Sequence, residues 1–568
     1  MKGMMKVKLV IALLVVIAVA IFYYVSLPAI NIHATETWKF IFLILAVLFV
    51  LYIVRKAKIA GQSKIELSFI KEYTGLKIGV IVFLLFLAVY VAGSILSSPI
   101  VNAAKYQKLL KVEEGEFTED IKQISYDQIP LLDRDSASIL GNRKMGSLVD
   151  MASQFEVSEL YSQINYKGEP VRVTPLRYAD TIKWLTNQKE GIPAYIKIDM
   201  ATQDTELVRL SEGMKYTPYD HFHRNLKRHL RFRYPTYIFD DISFEIDEEG
   251  TPYWICSVAD YKIGLFGGKT IGRVVLCNAV TGECTDYAVK DVPSWVDRVY
   301  SADLLVQLYD YYGSLKHGFI NSVLGQKDCL TTTNGYNYLA MNDDVWVYTG
   351  VTSITSDQSN VGFVLMNERT METKYYQVEG AIEDSAMSSA EGKVQNLGYT
   401  ATFPLLLNIT NEPTYFIALK DDSGLVKMYA MVNVQKYQIV AIGDTVSECE
   451  ESYTNLMYKN GIKTEAEDTR SVETLTAKIT KIAQGVIDGD SHYYIMLEGS
   501  DEIFDVSVVD FIDIIRFNVG DEVTVEYKKG EQVDTVLSLN GKASEQISTK
   551  AAKEEQAEDT AGDSAQTE

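Results

Sequence analysis

The sequence predicts a multi-domain membrane protein: three N-terminal transmembrane α-helices, then α+β repeats with antiparallel sheets, then a small all-β barrel. Three observations predict it. Apolar residues crowd into the first hundred positions, strand-like alternation takes over from about residue 193, and one hairpin motif recurs at an offset of 89 residues. The expected order is a membrane anchor over 1–104, a helical stalk over 105–190, a first α+β region over 191–330, a second over 331–465, a barrel over 471–542 and a disordered acidic tail over 543–568.

The anchor comes first. Residues 9–32 are uncharged and end their apolar run near Pro28, residues 38–54 form a second run, and residues 78–96 a third. Each approaches the ~20 residues that cross about 30 Å of hydrocarbon as a helix. The first has the basic start of a signal peptide (Lys2, Lys6, Lys8), but Phe22, Tyr23 and Tyr24 stand where small residues precede cleavage. The 55–77 loop carries Arg55, Lys56, Lys58, Lys64, Lys71 and Lys77, whereas the 28–37 loop carries no Lys or Arg. That bias predicts a plasma-membrane protein with a cytoplasmic N-terminus and an extracytoplasmic body after about residue 100. The spans offer few polar side chains (Ser26, Ser94 and several tyrosines), which fits anchoring better than conduction.

The stalk is read from helix-like spacing of Leu148, Met151, Phe155 and Leu160, after a loop signal at Asp133-Arg134-Asp135. Beyond it, residues 196–210 and 242–261 alternate apolar and polar residues as strands do. Residues 274–289 (VVLCNAVTGECTDYAV) align without a gap to 363–378 (FVLMNERTMETKYYQV), matching Asn278 with Asn367, Thr281 with Thr370 and Glu283 with Glu372. A weaker copy at 196–208 keeps Asp199 and Thr202. The unit is a hairpin in which Asn or Asp caps the turn. Proline followed closely by an aromatic also recurs, at Pro193, Pro252 and Pro413. Duplicated scaffold is the favoured reading, a repeated ligand site the alternative.

Five short strand-like stretches lie within 475–539, with a turn at Asn518-Val519-Gly520-Asp521, after a polar linker at 464–470. This fits a closed barrel of the OB type. Basic residues near it are few (Arg516, Lys528, Lys529) and acids many, so a structural or protein-binding barrel is expected rather than a nucleic-acid groove. The net charge of -22 also excludes nucleic acid as a main partner. The tail holds seven acids, two lysines and no aromatics. It lacks the apolar surface to fold.

Residues 220–233 (DHFHRNLKRHLRFR) hold three of the six histidines. A metal site of His221, His223 and His229 is disfavoured, since helical geometry puts the first two about 200° apart. An anion-binding patch of Arg224, Lys227, Arg228, Arg231 and Arg233 would suit lipid headgroups or wall polyanions. The third reading is structural: Tyr219, Phe222, Leu226 and Leu230 face the core and the basic residues are a solvated face. Cys277 and Cys284 flank the hairpin turn and stand within bridging reach if the strands pair; otherwise they are two strand thiols. Five cysteines without CxxC are no disulfide scaffold.

HExxH, GxSxG, Walker and GxGxxG motifs are missing, so no catalytic, cofactor or metal set is expected. The strand–Asn–x–x–Thr–Gly–Glu–strand hairpin of 274–289, with the upstream strand at 253–258 after Gly-Thr-Pro, resembles the core of PepSY-type modules. The resemblance covers 190–300 and, through the repeat, 340–440, where Met371 replaces the glycine. It implies small extracytoplasmic β-rich domains, often membrane tethered in bacteria. It also implies binding or modulation of other envelope proteins, peptidases included, rather than catalysis. The expected function is therefore a non-catalytic display of repeated modules to protein partners. The alternatives are a hydrolase acting on wall polymer or peptide, which a deep cleft lined by paired acids would favour, and an accessory subunit of a transport or secretion complex.

Overall fold

The computed structural model describes residues 2–60, 74–122, 129–354, 359–460, 462, 472–487, 490–530 and 533–542. The 464–470 linker and the 543–568 tail expected from sequence lie outside these. The chain forms two compact units, Met1–Tyr453 and Thr454–Glu568.

Three apolar helices open the first unit: Lys2–Ser26, Thr35–Ala60 and Thr74–Leu96. The segments Thr35–Lys56 and Thr74–Leu96 are long and apolar enough to cross a membrane, and 6% of each is buried against protein. In the first helix the described apolar stretch is Leu13–Ser26. It ends just before Pro28, with Leu27 in the left-handed region (φ 49°).

Among the described residues four main sheets follow, each preceded by a helix and antiparallel but for one edge pairing, beside a two-stranded ribbon of Ser359–Asn360 and Gly380–Ala381. Helix Arg134–Gly146 precedes sheet I, in which Phe155–Val157 and Ser162–Tyr166 both pair with Glu169–Tyr178, followed by Ile192–Asp199 and Thr205–Met214. Helix Leu226–Arg233 precedes sheet II, a meander of Phe239–Ile246, Pro252–Ile263, Gly267–Asn278 and Cys284–Ala288. Helix Ala302–Ser314 precedes sheet III, in which Leu330–Thr332 and Asn337–Met341 pair with Asp344–Ser353, then Gly362–Asn367 and Thr373–Tyr376; Glu113–Glu114 adds a parallel edge. Helix Glu383–Lys393 precedes sheet IV, in which Thr400–Ala401 and Leu405–Ile409 pair with Glu412–Lys420, then Val426–Asn433 and Val440–Gly443. Residues 155–178 are thus three strands of sheet I, and the helical stalk expected over 105–190 gives way to the opening of the first sheet. The loop signal at Asp133 is a helix N-cap: its carboxylate accepts from Ser136 N at 2.9 Å.

The turn between the last two strands has the same hydrogen bonds in sheets I, II and III. Asp199, Asn278 and Asn367 accept on Oδ1 from the residues two and three places on (Ala201 and Thr202, Val280 and Thr281, Arg369 and Thr370) at 2.7–3.0 Å. The threonine hydroxyl then accepts from Asp204 N, Glu283 N or Glu372 N at 3.2–3.3 Å. Gln203, Gly282 and Met371 all take positive φ, so Met371 replaces the glycine without changing the turn. Sheet IV has a longer version: Asn433 Oδ1 accepts from Gln435 N and Lys436 N, and the strand closes on Ile439. The residue directly after each capping Asp or Asn donates to the start of the strand before the capped one: Met200 to Pro170, Ala279 to Pro252, Glu368 to Val345 and Val434 to Pro413, at 3.0–3.1 Å. Pro170, Pro252 and Pro413 are therefore the equivalent prolines, and Pro193 is not one of them.

Sheet II is covered on both faces. Trp254, Cys256, Val275 and Cys277 share one core with Val173, Ile196 and Ile198 of sheet I. Ile255, Val274 and Leu276 share another with Leu305 and Leu308 of helix Ala302–Ser314 and Val347 and Val364 of sheet III. Such strands read as unbroken apolar runs, as VVLC does. Each fully buried Val, Leu or Ile contributes about 1.5–3 kcal/mol.

The hairpin tip of sheet II meets the apolar helices. Leu265 N and Phe266 N donate to Ser97 Oγ at 2.8 and 3.1 Å, and His33 Nδ1 lies 2.8 Å from Leu265 O. Phe266 packs on Trp38 and Tyr90, with centroids at 6.2 and 5.2 Å. A Cβ on Gly93 would come within 2.5 Å of Leu265 Cδ1, and one on Gly267 would fall against the Ser97 carbonyl oxygen.

The second unit holds a closed barrel of Val472–Ile487, Asp490–Leu497, Phe504–Ser507, Glu522–Lys528 and Asp534–Lys542, joined in the order first, second, third, fifth, fourth. The third and fifth strands are parallel; the other pairs are antiparallel. The first strand shifts register between Ile479 and Lys481, which lets it pair with a different neighbour on each half. Ile514, on a short 3-10 turn, is fully buried among Ile495, Phe504, Val523 and Val525.

Candidate functional site: a polar cleft among the sheets

The four sheets can be superposed through their turn hydrogen bonds and strand registers, and two positions break the pattern. The residue directly after the capping Asp or Asn is buried and apolar in three sheets (Met200, Ala279, Val434), but in sheet III it is Glu368, 1% exposed. The residue paired with the position just after that proline or valine is Ile164, Leu339 and Leu407 in sheets I, III and IV, all buried. In sheet II it is Glu245, fully buried opposite Tyr253. Burying a carboxyl where its counterparts bury methyl groups costs several kcal/mol unless the group is neutralised or bonded. Such local exceptions concentrate at functional sites.

Glu368 lines one cleft of about 470 Å³ within the first unit, and Glu245 follows the lining residues Ser243 and Phe244 on the same strand. Glu245 backs it, accepting from Asp297 N and Arg298 N at 3.0 Å each. Asp297, also buried, accepts from Asn165 N at 2.7 Å and so ties sheet I to the loop after sheet II. Glu368 lines the cleft itself, with Arg172, Arg298, Asp241, Tyr338 and Phe403. Arg298 pairs with Asp241 at 3.2 Å, whereas Arg172 is buried on Leu132 O and Gln163 Oε1, both at 3.3 Å. Glu368 Oε1, Arg298 Nε and Gln163 Nε2 are buried atoms without a hydrogen-bond partner. Three residues lining the cleft thus carry a polar atom without a protein partner in its wall, beside the aromatic rings of Tyr338 and Phe403.

Burial dominates the carboxyl chemistry. It pushes Glu368 up to about 8 and Glu245 up to about 7, against the attraction of Arg298 and, for Glu245, its two backbone bonds. Burial, reinforced by the Glu245 charge, raises Asp297 as well. Three clustered carboxyls cannot all ionise in so little solvent, so the cluster holds protons near neutrality.

The five basic residues of the expected anion patch divide. Arg231 is buried and donates to Leu27 O (3.0 Å) and Tyr237 O (2.6 Å), which fixes the end of the first apolar helix to the body. Arg224 donates to Gln188 O, and Arg228 donates to Phe222 O at 2.8 Å while stacking 4.3 Å over the Tyr24 ring. Lys227 and Arg233 are exposed. Leu226 and Leu230 are buried as the structural reading requires, but Phe222 is exposed. The metal trio does not assemble: His221 and His223 are exposed and only His229 turns inward.

Cys277 and Cys284 are Cα partners across the hairpin, as their spacing predicts, and both are free thiols. A hydrogen bond from Cys277 draws the Cys284 thiol down to about 5, aided by His229, and correspondingly raises Cys277. The turn residues Asn278, Thr281, Glu283, Asn367, Thr370 and Glu372 are occupied in their own hairpins. They are scaffold.

No protein-family model matches this chain, and no curated protein matches it significantly. The cleft was missed in the sequence, although one signal was present: the ungapped repeat sets Glu368 opposite Ala279.

Proposed function

We propose that this chain is a membrane-tethered, non-catalytic protein of the cell envelope. Its repeated β modules receive a polar segment of a partner protein in the cleft around Glu368. The observation that carries this reading is the pair of buried glutamates at positions apolar in the other sheets, Glu368 lining a cleft whose walls hold unpartnered polar atoms and Glu245 behind it on the backbone of the lining residue Arg298. The tether is supported by the apolar helices and by Tyr23, Tyr24, Trp38 and Tyr90 gathered where those helices meet the body, like an interfacial aromatic belt. The lysine bias orients the body outward. The first-second-third-fifth-fourth strand order supports the OB-like reading of the second unit, and the helix-plus-meander units support the PepSY-like reading of the first.

The experiment is crosslinking in cells from a photoreactive residue at position 336 or 337, at the cleft, followed by identification of captured envelope proteins. A reproducible partner, lost on Glu368→Gln, is expected. Recovery of none would count against the proposal. A C-terminal tag cleaved by external protease on intact protoplasts is the expected result for the orientation; a shielded tag reverses it.

One observation favours hydrolysis as a second reading: Glu368 is a carboxyl held protonated in a cleft, as a general acid must be. The other acids weaken it. Asp241 is paired with Arg298, Asp303 accepts from Tyr336 at 3.1 Å, and Asp133 caps a helix, which leaves only the exposed Glu159 at the rim as a second group. Turnover of wall polymer or peptide that Glu368→Gln and Glu159→Gln each abolish would establish this reading instead.

A further inference from the structure

Helix Leu226–Arg233 carries His229 across to the sheet II hairpin, 48 or more residues away in sequence. There a ring nitrogen of His229 and the sulfurs of Cys277 and Cys284 all lie within 4.8 Å of one another. The ring is held in place. Its Nε2 lies 2.8 Å from the Gly282 carbonyl, and its face packs on Tyr216 with centroids 4.7 Å apart. The two sulfurs come from directly opposed strand positions, so the hairpin fixes their separation as well. Cys277 is fully buried, Cys284 is 9% exposed and His229 is half-buried, so the histidine is the most exposed of the three.

We propose that His229, Cys277 and Cys284 form a three-ligand site for a thiophilic divalent cation of the zinc class, with a fourth position open to water or a partner's donor. Zinc takes nitrogen and sulfur ligands tetrahedrally at about 2.0–2.3 Å, which sets neighbouring ligand atoms about 3.7 Å apart. The observed spread is close enough for small side-chain rotations to close it. The donors select soft metals over calcium or magnesium, which take oxygen. Both sulfurs bind as thiolates, any proton still held by the pair leaves on binding, and the two thiolates neutralise the dication. The nearby Arg233, which opposes a bare cation, then faces a neutral centre. Cys256 is buried on the neighbouring strand but lies outside the group, as do Cys329 and Cys449. A bound ion would staple helix Leu226–Arg233, whose Arg231 grips the first apolar helix, to sheet II.

The test uses the full chain in detergent, purified through a histidine-free tag under reductant and titrated with Co2+ alone. One cobalt per chain with a thiolate-to-metal charge-transfer band, displaced by Zn2+, is expected. Cys277→Ser and Cys284→Ser should abolish the band, and His229→Ala should weaken binding on the order of tenfold or more. A second measurement needs no variant: Zn2+ should slow alkylation of Cys277 and Cys284 in the wild-type chain but not of Cys449. Absence of both the band and the protection in reduced, folded protein overturns the proposal. So does a Cys277–Cys284 disulfide whose reduction fails to yield a cobalt-binding site.

Discussion

Glu368→Gln tests the protonation of the cleft most directly. In the folded chain burial holds this carboxyl near 8 instead of its ordinary 4.5. A carboxyl raised in the folded state stabilises the fold fully below its unfolded value and loses that contribution as pH climbs through the folded one. At about 1.4 kcal/mol per pH unit, the wild-type chain should lose about 4 kcal/mol between pH 4 and pH 8 from this group alone. Glutamine has nearly the same shape and never ionises. Its variant should match the wild type at pH 5 and exceed it by a few kcal/mol at pH 8. The assay is denaturant unfolding of the full chain in detergent at each pH, followed by tryptophan fluorescence. Trp254 and Trp346, buried in sheets II and III, report on the unit concerned. A variant less stable than the wild type at pH 8 would refute the reasoning, because it would mean that Glu368 is ionised and paired with Arg298.

Other substitutions separate scaffold from site. Gly267→Ala should destabilise the first unit by more than 2 kcal/mol and loosen the body from its helices, read as new protease cleavage near residue 97, because the added methyl falls against the Ser97 carbonyl. Asn278→Ala and Asn367→Ala each leave two turn N–H groups without their acceptor and should cost about 1–2 kcal/mol by denaturant unfolding, with partner capture unchanged. Lys227→Glu with Arg233→Glu should reduce the anionic lipid that copurifies with the chain while leaving its stability within about 0.5 kcal/mol, whereas Arg231→Ala should cost about 2–4 kcal/mol because it removes a buried clamp. Ile514→Ala should lower the stability of the barrel by about 2–5 kcal/mol and leave the first unit's transition in place.

The legible parts of the fold were those where one physical signal dominates. Apolar runs located all three N-terminal helices, and period-two alternation located all five barrel strands. Sheet I hid its opening strands because Glu169–Tyr178 is buried almost throughout, Arg172 and Thr174 included, so alternation is erased. Meanwhile Leu148, Met151, Phe155 and Leu160 mimic a helical period across what is a short helix followed by a strand. The repeat at Asn433 escaped because its turn is longer, which defeats an ungapped match. The cleft depends on contacts among Glu245, Asp297 and Glu368, up to 123 residues apart, which no local pattern encodes. The meeting of His229 with the two cysteines is equally non-local.

The tip of the sheet II hairpin has a mechanical consequence. Leu265 and Phe266 are held by the Ser97 hydroxyl and wedged between aromatic rings, while Arg231 grips the carbonyl at Leu27 on another helix. Fasteners on different helices, with the Ile30 N to Pro235 O bond of the loop between them, prevent the body from turning about any one helix. A pull on the body would therefore arrive at the helices as torque and tilt instead of dissipating in a swivel, and a push from the helices would travel outward through the strands that end at Glu245 and Asn278.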